Sequence, residues 1–264
     1  VGELIGPPPD APPKPEPGNC VDCGAPTEPF WLPLGRHPGW LLPDRCSKCA
    51  ADRADRVEAE RREEQQRKWR AERYGRAGLT RGRREKTLEA FIVRQGTEQA
   101  VMIAGNAATR LAIGESTRGI LLVGLNGCGK THLALAVLNN VLDANPNLTG
   151  AFVEFSNYLE MLRRSFRQPE QYVEPESLRE TVLAVDVLVL DDLGAARRTG
   201  GEWDSEELVR LLNGRIETKR VLIATADLSP EQMADKLGAR VVDRLYEACL
   251  VVPMECGSYR REMR

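Results

Sequence analysis

Five short apolar runs punctuate the chain from residue 120 onward. They are Ile120–Val123, Ala151–Phe155, Val185–Leu190, Val221–Thr225 and Leu250–Pro253. None alternates apolar with polar residues, so each reads as a strand covered on both faces. Between them lie stretches with helical spacing, such as Thr131–Leu142 (THLALAVLNNVL) and Glu206–Lys219. Buried strands alternating with helices predict an α/β fold: three layers, with a mainly parallel five-stranded sheet in the middle.

The first third has no such pattern. Residues 7–17 (PPPDAPPKPEP) hold seven prolines and predict an extended, solvated tail. Residues 20–49 carry four of the seven cysteines. Residues 50–76 are charged, Ala-containing and free of proline. Acid-before-base pairs four apart (Glu58/Arg62, Glu63/Arg67, Glu64/Lys68) favour helix there. The large apolar residues of this stretch are Val57, Trp69 and Tyr74, so it has little face to bury and reads as an exposed connector. Gly75, Gly78 and Gly82 end the helix in this reading, and Thr80–Lys86 (TRGRREK) becomes a basic loop. The predicted organisation is a tail at 1–19, a cysteine module at 20–49, a charged helical linker at 50–86 and a globular domain at 87–264.

Composition adds limits. At about 150 residues per domain, 264 residues fit one large and one small domain. A hydrophobic content of 42% excludes full-length disorder, and aromatics at 5% leave the core to aliphatic side chains. A net charge of −2 identifies no partner. No run of 18 apolar residues occurs, so no membrane helix is expected, and a cytoplasmic location is the expectation.

The chemistry begins at residues 120–131, ILLVGLNGCGKT. A strand leads into Gly124-x-x-x-x-Gly129-Lys130-Thr131, and a helix follows. Glycines let backbone N–H groups curl around phosphates, and the helix N-terminus adds positive potential. Lys130 neutralises the β- and γ-phosphates, and the Thr131 hydroxyl reaches Mg²⁺. Gly124, Asn126, Gly127, Cys128, Gly129, Lys130, Thr131 and His132 thus form the candidate nucleotide-binding loop, His132 as a packing rather than a catalytic residue. The strand VLVLDD ends in Asp191-Asp192, at the sheet edge where parallel α/β folds bind ligands. Asp191 is the candidate Mg²⁺ carboxylate, and Asp192 the candidate for orienting the attacking water. Asp is one methylene shorter than the Glu common in this role, so hydrolysis is expected to be slow.

Cys20-x-x-Cys23 and Cys46-x-x-Cys49 have the spacing of a four-thiolate Zn²⁺ site. About 30 residues cannot stabilise themselves by burial alone, so the metal would supply folding free energy. His37, between the knuckles, has no role once four thiolates are assigned. Cys249 and Cys256 read as packing residues. Phe30, Trp31 and Trp40 are more apolar surface than so small a module can bury, and some of it is expected to be exposed for binding.

From Thr87 to Arg260 the chain resembles the DnaC/DnaI helicase loaders and their relative IstB, a branch of the AAA+ ATPases. The resemblance rests on TLEAF at 87–91, GLNGCGKTHLA at 124–134, LVLDDLG at 188–194, LLNGRIETKRVLIATADLS at 211–229, LGARVVDRL at 237–245 and GSYR at 257–260. It implies a P-loop AAA+ domain that uses ATP and Mg²⁺. Asp227 falls at the family's first sensor position, Arg244 at its arginine finger with Arg240 as the alternate, and Arg260 at its second sensor. Without the resemblance each arginine reads as a surface ion pair. The resemblance further implies self-association, a replicative DNA helicase as partner and single-stranded DNA in the oligomer's channel. Arg163, Arg164, Arg167, Phe166, Arg197 and Arg198 are candidate contacts, with ordinary helix-surface arginines as the alternative. Only four residues follow Arg260, leading to the expectation of the loader branch rather than an initiator. The competing readings are an IstB-like transposition helper and an adaptor that binds ATP with negligible hydrolysis.

Overall fold

A computed structural model describes residues 7–33, 38–194, 201–228 and 230–259. The chain divides into two compact units between Arg70 and Ala71.

The first unit contains two small antiparallel pairs. Strand β1 (Gly18–Asn19) pairs with β2 (Pro26–Thr27), and β3 (Phe30–Leu32) with β4 (Gly39–Leu41). Trp31 and Trp40 face each other across the second pair, with ring centroids 5.6 Å apart and edge to face. The Trp40 indole N–H donates to the carbonyl of Pro12 at 2.8 Å, which ties down the proline-rich segment. Phe30, Leu32 and Leu41 share the opposite face by the two-residue period and remain exposed. The apolar surplus expected from sequence therefore falls on these residues, while Trp31 is buried. Helix α1 (Ser47–Arg76) follows, and none of its residues is buried.

The second unit begins within the last turns of α1. Arg73 there donates to the carbonyls of Leu142, Asn145 and Leu148, so the end of the connector is anchored rather than free. The helix runs through Gly75; the turn comes at Gly78, whose φ is +70°. The segment expected as a loop at 80–86 instead contains one helical turn, α2 (Arg81–Arg84). It is held because Asn139 donates its side-chain amide to the carbonyls of Arg83 and Lys86.

The remaining elements are α3 (Glu98–Ala112), β5 (Gly119–Gly124), α4 (Lys130–Ala144), β6 (Gly150–Glu154), α5 (Phe155–Arg167), α6 (Pro175–Ala184), β7 (Val187–Asp191), α7 (Gly201–Glu217), β8 (Val221–Ala226), α8 (Pro230–Leu237), α9 (Ala239–Ala248) and β9 (Cys249–Met254). The sheet order is β6-β7-β8-β5-β9, and every described pairing is parallel. Period-two alternation splits each strand between two cores. Ile120, Leu122, Val189 and Ile223 pack with α3 and α4, whereas Leu121, Leu188, Leu190 and Leu222 pack with α5, α7 and α9. This is the three-layer α/β fold that the apolar runs predict. No helix among the described residues is long and apolar enough to cross a membrane.

Charged residues also enter this core. Arg215 of α7 is 1% exposed and donates to the carbonyls of Leu183, Val185, Asp186 and Val221. Burial pulls its guanidinium down to about 10, still cationic at neutral pH. Glu207 of the same helix is gripped by Arg179 through both oxygens, and the Tyr158 hydroxyl donates to it at 3.0 Å. These contacts fix α7 against the sheet edge opposite the strand tips. Replacing Arg215→Met removes these donors; Leu183 keeps Arg220 and Asp186 keeps the Val221 N–H, while the Val185 carbonyl loses the bond from Arg215. We expect a loss of about 3 kcal/mol or more in unfolding free energy, read from urea denaturation; a midpoint unchanged from wild type would count against this role.

Candidate functional site

The carboxyl ends of β5, β7 and β8 converge on one cavity of about 540 Å³, within the usual range for small-molecule sites. After β5 the backbone curls through Gly124, Gly127 and Gly129, with φ of +156°, +86° and +103°. Other residue types rarely adopt these angles. Space is as demanding as conformation: a Cβ on Gly127 would collide with the Ser258 hydroxyl, and one on Gly129 would come 2.7 Å from the Phe91 ring. Gly129 caps α4, so the first amides of that helix face the cavity.

Lys130 is 8% exposed, and its ammonium donates to the carbonyls of Gly124 at 2.8 Å and Leu125 at 3.0 Å. No carboxylate forms an ion pair with it among the described residues, so these carbonyls hold the ammonium, with the Asp192 charge acting on it at longer range. The Thr131 hydroxyl donates to Asp191 at 2.9 Å. Thr225, at the end of β8, donates to the same carboxylate at 2.6 Å and accepts the N–H of Asp192 at 2.9 Å. Asp192 sits in the left-handed region, at φ +58°. Its carboxyl is raised above the usual range by burial, then by the charges of Asp227 and Asp191. Asp227 accepts from the Asn126 side-chain amide at 3.3 Å, which ties the loop to the end of β8.

Other parts of the chain complete the cavity. The His132 ring packs edge to face on Phe91, bonds the Thr87 carbonyl at 3.0 Å, and is lowered by burial. The segment after β9 folds over the loop: the Tyr259 N–H donates to the carbonyl of Gly127, and the Cys256 thiol to that of Cys128. Cys128 is buried beneath the loop. Cys249 is fully buried, its thiol pushed up to about 12, as a packing residue would be.

The structure thus gathers Asn126, Gly127, Cys128, Gly129, Lys130, Thr131, His132, Asp191 and Asp192 around one space. Gly124 and Asp227 line a neighbouring cavity, and Asp227 is tied to the loop through Asn126. Sequence reading missed Thr225. Its signal was present: it is a polar residue at the carboxyl end of a buried strand, on the same face as Ile223. Arg244 and Arg240 lie elsewhere on α9, where Arg244 pairs with Glu247. Arg260, Arg197, Arg198 and His37 lie outside the described residues. Of the arginines considered for nucleic acid, Arg163 is committed to the buried Asp204 and lies over Trp203, and Arg164 pairs with Glu160. Arg167 is exposed.

The residues fit the groups their spacing implies. A hydroxyl and a carboxylate are hard oxygen donors suited to Mg²⁺, which ordinarily takes one or two protein oxygens beside phosphates. In the first unit the sulfurs of Cys20, Cys23, Cys46 and Cys49 lie within 4.8 Å of one another, Cys23 and Cys46 at 3.7 Å, and none is in a disulfide. A tetrahedral zinc with Zn–S of about 2.3 Å places its sulfurs about 3.8 Å apart. Gly24, at φ +73°, closes the first knuckle, and its N–H donates to the carbonyl of Cys20. The thiols share protons: Cys20 is pulled down to about 6, first by a hydrogen bond from the backbone of Cys46, while Cys49 is pushed up, first by its hydrogen bond to Cys23.

The profile of the bacterial DnaA ATPase domain matches residues 83–252. The chromosomal replication initiator protein DnaA of Streptococcus agalactiae is 28% identical over 151 residues, 57% of this chain and 32% of that protein. The chain therefore spans about a third of the length of the curated relatives it matches. Among solved structures, AMPPCP-bound DnaA from Aquifex aeolicus has a TM-score of 0.56 at 24% identity, covering 68% of this chain and 53% of that one. The DnaC helicase loader has a TM-score of 0.56 at 22% identity, covering 67% and 100%. At these identities the two structures establish the fold.

The cysteine cluster makes a direct prediction. Elemental analysis of protein purified without chelator should find one zinc per chain. Cys46→Ser should lose the metal and collapse the amide dispersion of residues 18–49, while the second unit keeps its thermal transition. A metal-free preparation with an intact hairpin spectrum would refute it.

Proposed function

The chain belongs to the bacterial DnaA ATPase-domain family, an AAA+ group tied to replication initiation, and from that premise we propose that it is an ATP-dependent helicase loader. It binds a replicative DNA helicase and single-stranded DNA, and places the one on the other. The observation that carries this reading is the joint position of Lys130, Thr131 and Asp191 at one cavity under a glycine loop.

In this reading the loop amides and Lys130 hold the triphosphate. Thr131 and Asp191 hold Mg²⁺, which screens the phosphate charge when bound. Asp192 orients water for attack on the γ-phosphorus, and the bond from that phosphorus to the bridging oxygen breaks. Its short side chain and strongly fixed backbone leave little reach, which supports slow turnover. Asp227 senses the same phosphate from the end of β8. Arg244, half-buried on α9, paired with Glu247 and not among the residues that line its own chain's cavity, is suited to complete the site of a second copy. Arg240, one turn earlier and exposed, is the alternate.

The first unit supplies the partner contact. Its zinc-held hairpin presents Phe30, Leu32 and Leu41 to solvent, and a rigid apolar face of this kind is what a protein partner would bury. For DNA, the exposed Arg167 on α5 remains available, whereas Arg163 is already paired and the Phe166 ring packs against Trp203 and Arg179.

Gel filtration with a bacterial replicative helicase tests the reading. Co-elution is expected in ATP and weaker association without it; separate elution under both conditions would remove the loader assignment. A mixing experiment tests the shared site. Arg244→Ala should reduce hydrolysis by about 10³-fold, and Asp192→Asn should abolish it. Equimolar mixtures should recover measurable turnover, because the Asp192→Asn chain still lends Arg244 to its neighbour. No recovery, with Arg240→Ala the damaging change instead, would move the finger to Arg240.

A further inference from the structure

Thr225 is 1% exposed and makes contacts that no role described above uses. It follows Ala224, which pairs with Leu190, so it stands beside Asp191 on the neighbouring strand. The two-residue period turns both side chains to the face where α4 begins. One hydroxyl serves two neighbours there. It donates to Asp191 Oδ1 at 2.6 Å and accepts the Asp192 N–H at 2.9 Å. The backbone carbonyl of Thr225 also accepts the Leu193 N–H at 3.0 Å. A single residue therefore holds both successive amides where the chain turns out of β7.

That turn is unusual. Asp192 is one of two described non-glycine residues at positive φ, a region that Asp enters more readily than most residues but that stays uncommon outside glycine. The side chain that bonds its amide there is Thr225, whose hydroxyl accepts the Asp192 N–H. We infer that Thr225 is a positioning residue for ATP hydrolysis: it fixes Asp192 in its left-handed conformation and orients the Asp191 carboxylate toward the cation site. The inference rests on the ATPase reading. Thr131 and Thr225 together supply hydroxyl donors to Asp191. With Thr131 engaged on a cation, Thr225 would be the hydroxyl donor among the described residues still holding the Asp191 carboxylate.

The test compares Thr225→Val, which keeps the shape and loses the hydroxyl, with Thr225→Ser, which keeps the hydroxyl. Three readouts are needed in the full chain: ATP turnover, ATP affinity in Mg²⁺, and ATP affinity in EDTA. For Thr225→Val, turnover should fall by about 10- to 100-fold, since losing two buried hydrogen bonds is worth one to two decades. Affinity in EDTA should stay within about twofold, and the gain in affinity on adding Mg²⁺ should shrink by about threefold or more, within the range of a single hydrogen bond. Thr225→Ser should restore turnover and the Mg²⁺ gain.

Wild-type turnover and Mg²⁺ gain in Thr225→Val would overturn the inference. So would an equal loss of affinity in EDTA that Thr225→Ser fails to rescue, because that is the signature of packing alone. If wild type binds ATP without turning it over, the Mg²⁺ gain decides the matter by itself. If wild type binds no ATP in either buffer, the ATPase reading fails and this inference falls with it.

Discussion

A carboxylate placed at the tip of a buried strand must be met by donors, and the second unit is organised around that demand. Asp191 is 7% exposed at the end of β7. The two hydroxyls that reach it come from opposite sides, Thr131 at the start of α4 and Thr225 at the end of β8. Meeting both requires β5, β7 and β8 to end in step, which the parallel register provides. An anion left unpaired there would cost several kcal/mol. The same convergence leaves room for a triphosphate, because the glycine loop rises over the strand tips instead of filling the space.

The opposite end of the sheet is stabilised differently. Arg215 saturates the carbonyls that end α6 and begin β7 and β8, and Glu207 is matched by Arg179 and Tyr158. Both belong to α7, so one helix carries a buried cation and a buried anion into the layer behind the strands. Such groups add little stability over apolar packing, but they tolerate few alternative placements. Their value lies in fixing where α7 sits, and hence where the following strand β8 delivers Thr225 and Asp227.

The described residues of the first unit form no comparable core. Its strands are two and three residues long, and its described aromatic packing centres on one Trp–Trp pair. Four thiols within 4.8 Å supply the missing cross-link when they share a metal. A metal-held hairpin can leave apolar side chains in water without losing its shape, and Phe30, Leu32 and Leu41 are exposed in this way.

Features carried by neighbouring residues were legible in the amino-acid order. Gly124 to Thr131, the Asp191-Asp192 pair, the CxxC knuckles and the apolar strands each declare themselves within a dozen positions, because loop curvature, strand period and ligand spacing are local properties. The exposed α1 was legible for the same reason, through its charge pairs. Whatever depends on distant segments meeting was not. The contact from Thr225 to Asp191 spans 34 positions, and the ion pair of Arg163 with Asp204 spans 41. The helical turn at Arg81–Arg84 exists because Asn139 holds it, and the anchoring of Arg73 depends on the far end of α4. Residue order fixed the kinds of chemistry available. Sheet closure decided which side chains share a space, since hydrogen-bond partners across a fold are chosen by register and burial rather than by proximity along the chain.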